Sequence, residues 1–178
     1  MEIILAENHG FCYGVKRAVE MANEAADGKG KSYTLGPIIH NPQVVGRLES
    51  KGVSPIQEVA DIDEGTMIIR SHGVGPAIYA EAEEKGLHIL DATCPHVKKA
   101  QQDAKSVIED GMTLVILGEK NHPEVKSINL WADNKGIIIE DEKSAQKLQI
   151  VEKMGVVVQT TFSQFKFNSI IEILEKKS

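Results

Sequence analysis

Hydrophobic positions along this chain follow two periods that take turns. Short runs rich in β-branched and apolar residues read as strands: Glu2 to Ala6, Ser32 to Leu35, Met67 to Arg70, Leu87 to Leu90, Met112 to Leu117, Gly136 to Ile139 and Gly155 to Gln159. Between them the apolar residues take helical spacing, over Val15 to Ala26, Asn41 to Ser50, Pro76 to Lys85, Val97 to Asp110, His122 to Ala132, Glu142 to Leu148 and Gln164 to Lys176. Several of these segments open on Pro or close on Gly, as helices do. Strand and helix in alternation imply the α/β class, with small parallel sheets flanked by helices. Ligands of such sheets bind beyond the carboxyl ends of the strands, in the loops that lead into helix N-termini.

An internal repeat refines the architecture. Cys12-Tyr13-Gly14-Val15-Lys16-Arg17-Ala18 matches Cys94-Pro95-His96-Val97-Lys98-Lys99-Ala100 at an offset of 82 (94 − 12). Gly36 through His40-Asn41-Pro42 and Val44 matches Gly118 through His122-Pro123 and Val125, with His40 and His122 again 82 apart (122 − 40). Two motifs at one spacing point to duplication of an α/β unit, with a first unit over 1–93 and a second over 94–178. The strand ending at His72 corresponds to the one ending at Thr160, at the larger offset of 88 (160 − 72). Cys94 follows His72 by 22 positions (94 − 72), so a third unit is expected to open with a cysteine near position 182, roughly 22 residues beyond Thr160. On this arithmetic the third unit is absent and the chain stops at a unit boundary.

Composition narrows the function. With 178 residues, 42% hydrophobic and 26% charged, the chain is long enough for real cores. A net charge of −6 and the lack of a basic stripe argue against a nucleic-acid partner. The opening residues lack the pattern of a signal peptide and no segment has the length to span a bilayer, so no membrane partner is expected and the cytoplasm is the expected compartment. Two cysteines in a reducing compartment read as free thiols or ligands rather than a disulfide.

Each cysteine precedes a helix N-terminus, where orphan N–H groups and the helix dipole favour an anion, and cationic residues follow it closely: Lys16, Arg17, Lys98 and Lys99. That setting suits a metal-ligating thiolate. His40 and His122 stand at helix entrances beside Pro42 and Pro123, where free N–H groups can meet a phosphate, and His72 ends a buried-looking strand. Three histidines at strand-to-helix loops suggest one pocket for an anion, and diphosphate fits better than a nucleotide because no GxxxxGK[ST] or GxGxxG is present. His9, His88 and His96 read as structural. Glu124, in a first helical turn, is a dipole partner or a proton relay. Thr160 and Thr161 emerge at the same sheet edge as His72, as site hydroxyls or as caps of the helix starting at Ser163.

Together, Gly10-Phe11-Cys12-Tyr13-Gly14-Val15, Ile39-His40-Asn41, Arg70-Ser71-His72-Gly73-Val74, Asp91-Ala92-Thr93-Cys94-Pro95, His122-Pro123-Glu124-Val125 and Gln159-Thr160-Thr161 resemble, in colinear order, the LytB/IspH family of iron–sulfur reductases. The resemblance implies a pseudo-threefold trefoil of three α/β units around a [4Fe-4S] cluster, with Cys12 and Cys94 as two of its three cysteine ligands. It implies reductive removal of the allylic hydroxyl of 4-hydroxy-3-methylbut-2-enyl diphosphate, giving isopentenyl and dimethylallyl diphosphates in the non-mevalonate route to isoprenoids. His40, His72 and His122 would bind the diphosphate, with Thr160 and Thr161 beside the substrate, Glu124 and Thr160 delivering protons, and ferredoxin or flavodoxin giving electrons. With the third ligand missing, this length of chain is expected to be an inactive fragment. Two rivals are a zinc protein, which the lack of a CxxC or HxxxH pair disfavours, and a metal-free phosphate-binding module.

Overall fold

In the computed structural model, residues 2–7, 9–28 and 30–177 are described, so Met1 and Ser178, the outer ends of the two expected units, lie outside it. The first sheet holds four parallel strands, β1 (Ser32–Leu35), β2 (Val53–Ile56), β3 (Thr66–Ile69) and β4 (His88–Asp91), in the order β2-β1-β3-β4. Helices α1 (Tyr13–Asp27), α2 (Pro42–Ser50) and α3 (Pro76–Glu84) cover it. The second sheet holds β5 (Thr113–Leu117), β6 (Ile137–Ile139) and β7 (Met154–Val158) in the order β6-β5-β7, with α4 (Pro95–Glu109), α5 (Pro123–Trp131), α6 (Glu142–Lys147) and α7 (Gln164–Leu174) around it. All pairings are parallel and in register at the carboxyl ends, Ile69 beside Asp91 and Leu117 beside Val158.

The central strands are apolar without a break because both of their faces are covered. In β3, Ile68 packs with Ala18 and Ala22 of α1 and Leu48 of α2, while Met67 and Ile69 pack on the other side with Ala82 of α3. In β5, Leu114 and Ile116 meet Ala104 of α4 and Ile128 of α5, and Val115 and Leu117 meet Ala145, Ile170 and Leu174. Truncating one of these fully buried side chains to Ala would cost about 2–5 kcal/mol.

The repeat in the sequence is a repeat in space. α1 and α4 are both 15 residues, α2 and α5 are both 9, and β2-β1-β3 recurs as β6-β5-β7. β4, which leads into Cys94, has no counterpart in the second sheet among the described residues.

Two expectations fail. Glu2 to Ala6 is not a strand: Ile3, Ile4 and Leu5 are 76%, 83% and 73% exposed, and no strand among the described residues pairs with them. A β-branched run without a ladder partner has nothing to hold it extended. Conversely, β2 is a strand that the reading of the sequence leaves out; its Pro55 is tolerated because β2 is an edge, where a missing N–H costs no ladder bond. Elsewhere the boundaries agree within about two residues, the usual fraying of element ends. No helix among the described residues is long and apolar enough to cross a membrane.

Candidate active site

One cavity of about 330 Å³ opens where the carboxyl ends of both sheets face each other, and its walls include Cys12, Cys94, His40, His72, His122, Glu124, Thr160 and Thr161. Residues as far apart as Cys12 and Thr161 meet there because most sit in loops that leave the carboxyl end of a strand, while Cys12 caps α1 and Glu124 lies in the first turn of α5. His9, His88 and His96 do not line it. His9 Nδ1 lies 2.8 Å from the Ala6 carbonyl oxygen and His88 Nδ1 lies 3.4 Å from Thr66 Oγ1.

Cys12 is the N-cap residue of α1 and Cys94 that of α4, and neither side chain makes a capping bond. The two are close through Gly14: a Cβ there would stand 2.5 Å from Cys94 Sγ, so only glycine lets the second thiol settle on the first turn of the helix that Cys12 opens. The loop carrying Cys94 is pinned by Asp91, which accepts from Thr93 N–H at 2.9 Å and Tyr79 O–H at 3.0 Å and pairs with Lys98 at 2.7 Å. Cys94 N–H donates to the Ser71 carbonyl at 2.9 Å, tying this loop to the one bearing His72. The cations expected to flank the thiols face elsewhere. Lys16 pairs with Glu20, Lys98 with Asp91 and Lys99 with Asp103, and Arg17 donates to the carbonyls of Thr93 and Asp91.

The three histidines form a triangle, with ring centroids 4.5 Å apart for His40 and His72, 6.0 Å for His40 and His122, and 5.5 Å for His72 and His122. Burial first, then the neighbouring His40, Arg70 and His122, push the His72 pKa from 6.5 down to about 3, so this ring is neutral in ordinary buffers. Its Nδ1 is buried and has no partner among the described residues. His122 Nδ1 accepts the Glu124 N–H at 3.2 Å, so a neutral His122 carries its proton on Nε2. The entrances of α2 and α5 are therefore less open than expected. Asn41 Oδ1 takes the Val44 N–H at 3.0 Å as His122 Nδ1 takes that of Glu124, so these two N–H groups are already paired. One ring nitrogen from each histidine lies within 4.8 Å of the others, so the three rings can converge on one small ligand or ion.

Glu124 is 2% exposed, and its carboxylate accepts the Thr160 N–H at 2.6 Å and the Thr160 hydroxyl at 2.9 Å. Thr160 thus binds a buried acid rather than capping α7, whose N-cap Ser163 makes no side-chain cap bond. Thr161 Oγ1 accepts from Gln159 Nε2 at 2.9 Å.

A protein-family model described as LytB protein matches residues 3–178. The chain belongs to the LytB family. Among the curated LytB relatives, the 4-hydroxy-3-methylbut-2-enyl diphosphate reductase of Geotalea uraniireducens (strain Rf4) is 48% identical over 172 residues, covering 97% of this chain and 61% of that protein. That of Pelobacter propionicus (strain DSM 2379 / NBRC 103807 / OttBd1) is 49% identical over 178 residues, covering 99% and 63%. A solved structure of (E)-4-hydroxy-3-methyl-but-2-enyl diphosphate reductase, the terminal enzyme of the non-mevalonate pathway, superposes with a TM-score of 0.83 at 42% identity, over 97% of this chain and 63% of that one. The E-1-hydroxy-2-methyl-but-2-enyl-4-diphosphate reductase of Plasmodium falciparum superposes with a TM-score of 0.91 at 32% identity, over 96% and 55%. This LytB chain therefore spans about three fifths of the length of the curated relatives it matches.

Sequence reasoning missed the residues that position the others. Ser127 Oγ lies 2.8 Å from the His72 carbonyl and 2.9 Å from that of Glu124 and accepts from Gln101 Nε2 at 3.1 Å, joining two histidine loops and α4. Gln159 Oε1 takes the Glu119 N–H at 2.9 Å while its amide donates to Thr161. Only Gln159 had a signal, as a polar residue directly after an apolar strand.

Proposed function

We propose that this chain forms the first two of three α/β units, divided near 1–93 and 94–178, of a pseudo-threefold reductase. It would convert 4-hydroxy-3-methylbut-2-enyl diphosphate to isopentenyl and dimethylallyl diphosphates. The observation that carries the reading is the single cavity into which two thiols, three imidazoles, a buried carboxyl and two threonines converge.

The donor set fits an iron–sulfur cluster as far as it goes. Two soft thiols at two helix N-termini, one seated against Gly14, suit a cluster whose thiolate ligands carry negative charge. Cys12 and Cys94 would hold two irons of a [4Fe-4S] cluster, the third thiolate coming from the further length that the relatives have. When bound, that cluster supplies two electrons, received from ferredoxin or flavodoxin, and a Lewis-acid iron for the substrate oxygen. On this reading the 178 residues alone do not turn over.

The chain's own residues bind, orient and protonate. His40, His72 and His122 offer ring N–H donors to the diphosphate, and His122 does so through Nε2 because its Nδ1 is occupied. Burial keeps His72 neutral, so the triangle does not gather three repelling charges. Thr160 Oγ1 is bonded to Glu124 Oε2 and both residues line the cavity; with Glu124 protonated from solvent, Glu124 gives its proton to Thr160 Oγ1 as the Thr160 hydroxyl passes its own to the leaving hydroxyl. Loss of water balances the two protons and two electrons taken up.

Calorimetric titration of this chain with 4-hydroxy-3-methylbut-2-enyl diphosphate tests the binding half of the reading. His40→Ala and His122→Ala are each expected to weaken binding at least about tenfold, one charge-assisted bond being worth ~1.5–3 kcal/mol. Unchanged affinity in both variants would remove the histidines from the site.

A further inference from the structure

Back to back with the histidine triangle lies a second cavity of about 340 Å³ that shares none of its lining residues. The two share walls: Arg70 and Gly73 line the second cavity while Ser71 and His72 between them line the first, and Asn121 and Pro123 alternate with His122 and Glu124. Four polar side chains reach the second cavity without other employment. Among the described residues, Arg70, Lys126, Gln57 and Asn121 make no side-chain hydrogen bond and no salt bridge. Among the described residues, no aspartate or glutamate lines it.

Arg70 is the informative member. It follows β3 directly, is half-buried, and its Nε is fully enclosed with no partner. Room is kept for it, since a Cβ on Gly36, whose φ is +70°, would stand 2.9 Å from Arg70 Nη1. Burial of the guanidinium lowers its pKa, the mark of a cation that has lost water and found no counter-charge. An arginine so placed is costly unless something pairs with it. A fork of N–H donors beside an ammonium and two amides matches a tetrahedral oxyanion, and two cations with no acid match a dianion.

We propose that this cavity binds the phosphoryl group of a small phosphate monoester, gripped by Arg70 and Lys126, at a site separate from the histidine pocket. The space exceeds what a phosphate ion fills, and Val74, Ile78 and Leu130 give the wall an apolar part that suits an organic body on the phosphate. The phosphoryl group supplies the counter-charge that Arg70 lacks.

The test uses the whole chain carrying His40→Ala and His122→Ala, which disables the histidine pocket, titrated calorimetrically with phenyl phosphate and with inorganic phosphate. One site per chain is expected. Arg70→Gln should weaken it at least tenfold, Lys126→Gln severalfold, and Arg70→Lys less than Arg70→Gln. Lys126 is exposed, so its variant separates lost binding from lost folding. Tighter binding of phenyl phosphate supports a monoester. Equal binding of the two probes would overturn the monoester, leaving free phosphate as the ligand. No saturable binding of either probe, or binding indifferent to both Arg70→Gln and Lys126→Gln, would overturn the site.

Discussion

Thr160→Val probes the buried acid most cleanly. Valine keeps the shape of threonine and the backbone N–H that reaches Glu124 at 2.6 Å, and deletes only the hydroxyl that reaches Oε2 at 2.9 Å. With Glu124 2% exposed, its carboxylate cannot turn to bulk water for a replacement. Losing a hydrogen bond to a charged group costs about 1.5–3 kcal/mol, and the exposed position of Thr160 sets the expectation near the lower end. Glu124→Gln should cost less, about 0.5–1 kcal/mol, because the amide oxygen still takes the Thr160 N–H and the amide nitrogen can donate to Thr160 Oγ1. In the glutamine background Thr160→Val then removes only a neutral bond, so the double-mutant cycle should show a coupling of about 0.5–1 kcal/mol. The assay is urea unfolding followed by the fluorescence of Trp131, the only tryptophan, which lies on the same helix as Glu124. A Thr160→Val cost below about 0.5 kcal/mol, or strict additivity, would refute the argument that this hydroxyl serves a buried carboxylate.

Three further outcomes follow from the same geometry. Gly14→Ala should lower iron uptake on reconstitution although it improves helix propensity by up to ~1 kcal/mol, because the new Cβ meets Cys94 Sγ; undiminished iron would contradict the close seating of Cys94. His72, with its folded pKa near 3 against 6.5, binds its proton more readily in the unfolded chain. Its contribution is therefore fully present above pH 6.5 and is lost as pH falls toward 3, so urea midpoints should drop less steeply on acidification in His72→Gln than in the unaltered chain, and parallel curves would contradict the shift. Trp131→Phe removes the Nε1 bond to the buried Val74 carbonyl at 2.9 Å and should cost about 1–2 kcal/mol by circular dichroism of unfolding.

Much of the fold was legible because each half of it is written twice. The septets at Cys12 and Cys94 each open a 15-residue helix, and the loops at His40 and His122 each lead from a central strand into a 9-residue helix. The gathering of site residues was legible for the same reason, since loops at one edge of parallel sheets face one cavity. What stayed hidden depends on partners distant in sequence. β2 is a strand only because β1 lies beside it, and Glu2 to Ala6 has strand composition without a neighbour. Ser127, Gln101 and Arg70 matter through contacts that local pattern does not encode. The cations after each cysteine were misread, because adjacency in sequence to a thiol said nothing of Glu20, Asp91 or Asp103 as their true partners.

The most direct test of the account is iron and acid-labile sulfide per chain after anaerobic reconstitution of the protein extended through the natural sequence that follows Ser178, beside its Cys12→Ser and Cys94→Ser variants. The account predicts about four irons and four sulfides per chain, lost in either variant. Absence of iron, or iron retained in full by either variant, would contradict the assignment of this pocket as the seat of an iron–sulfur reductase.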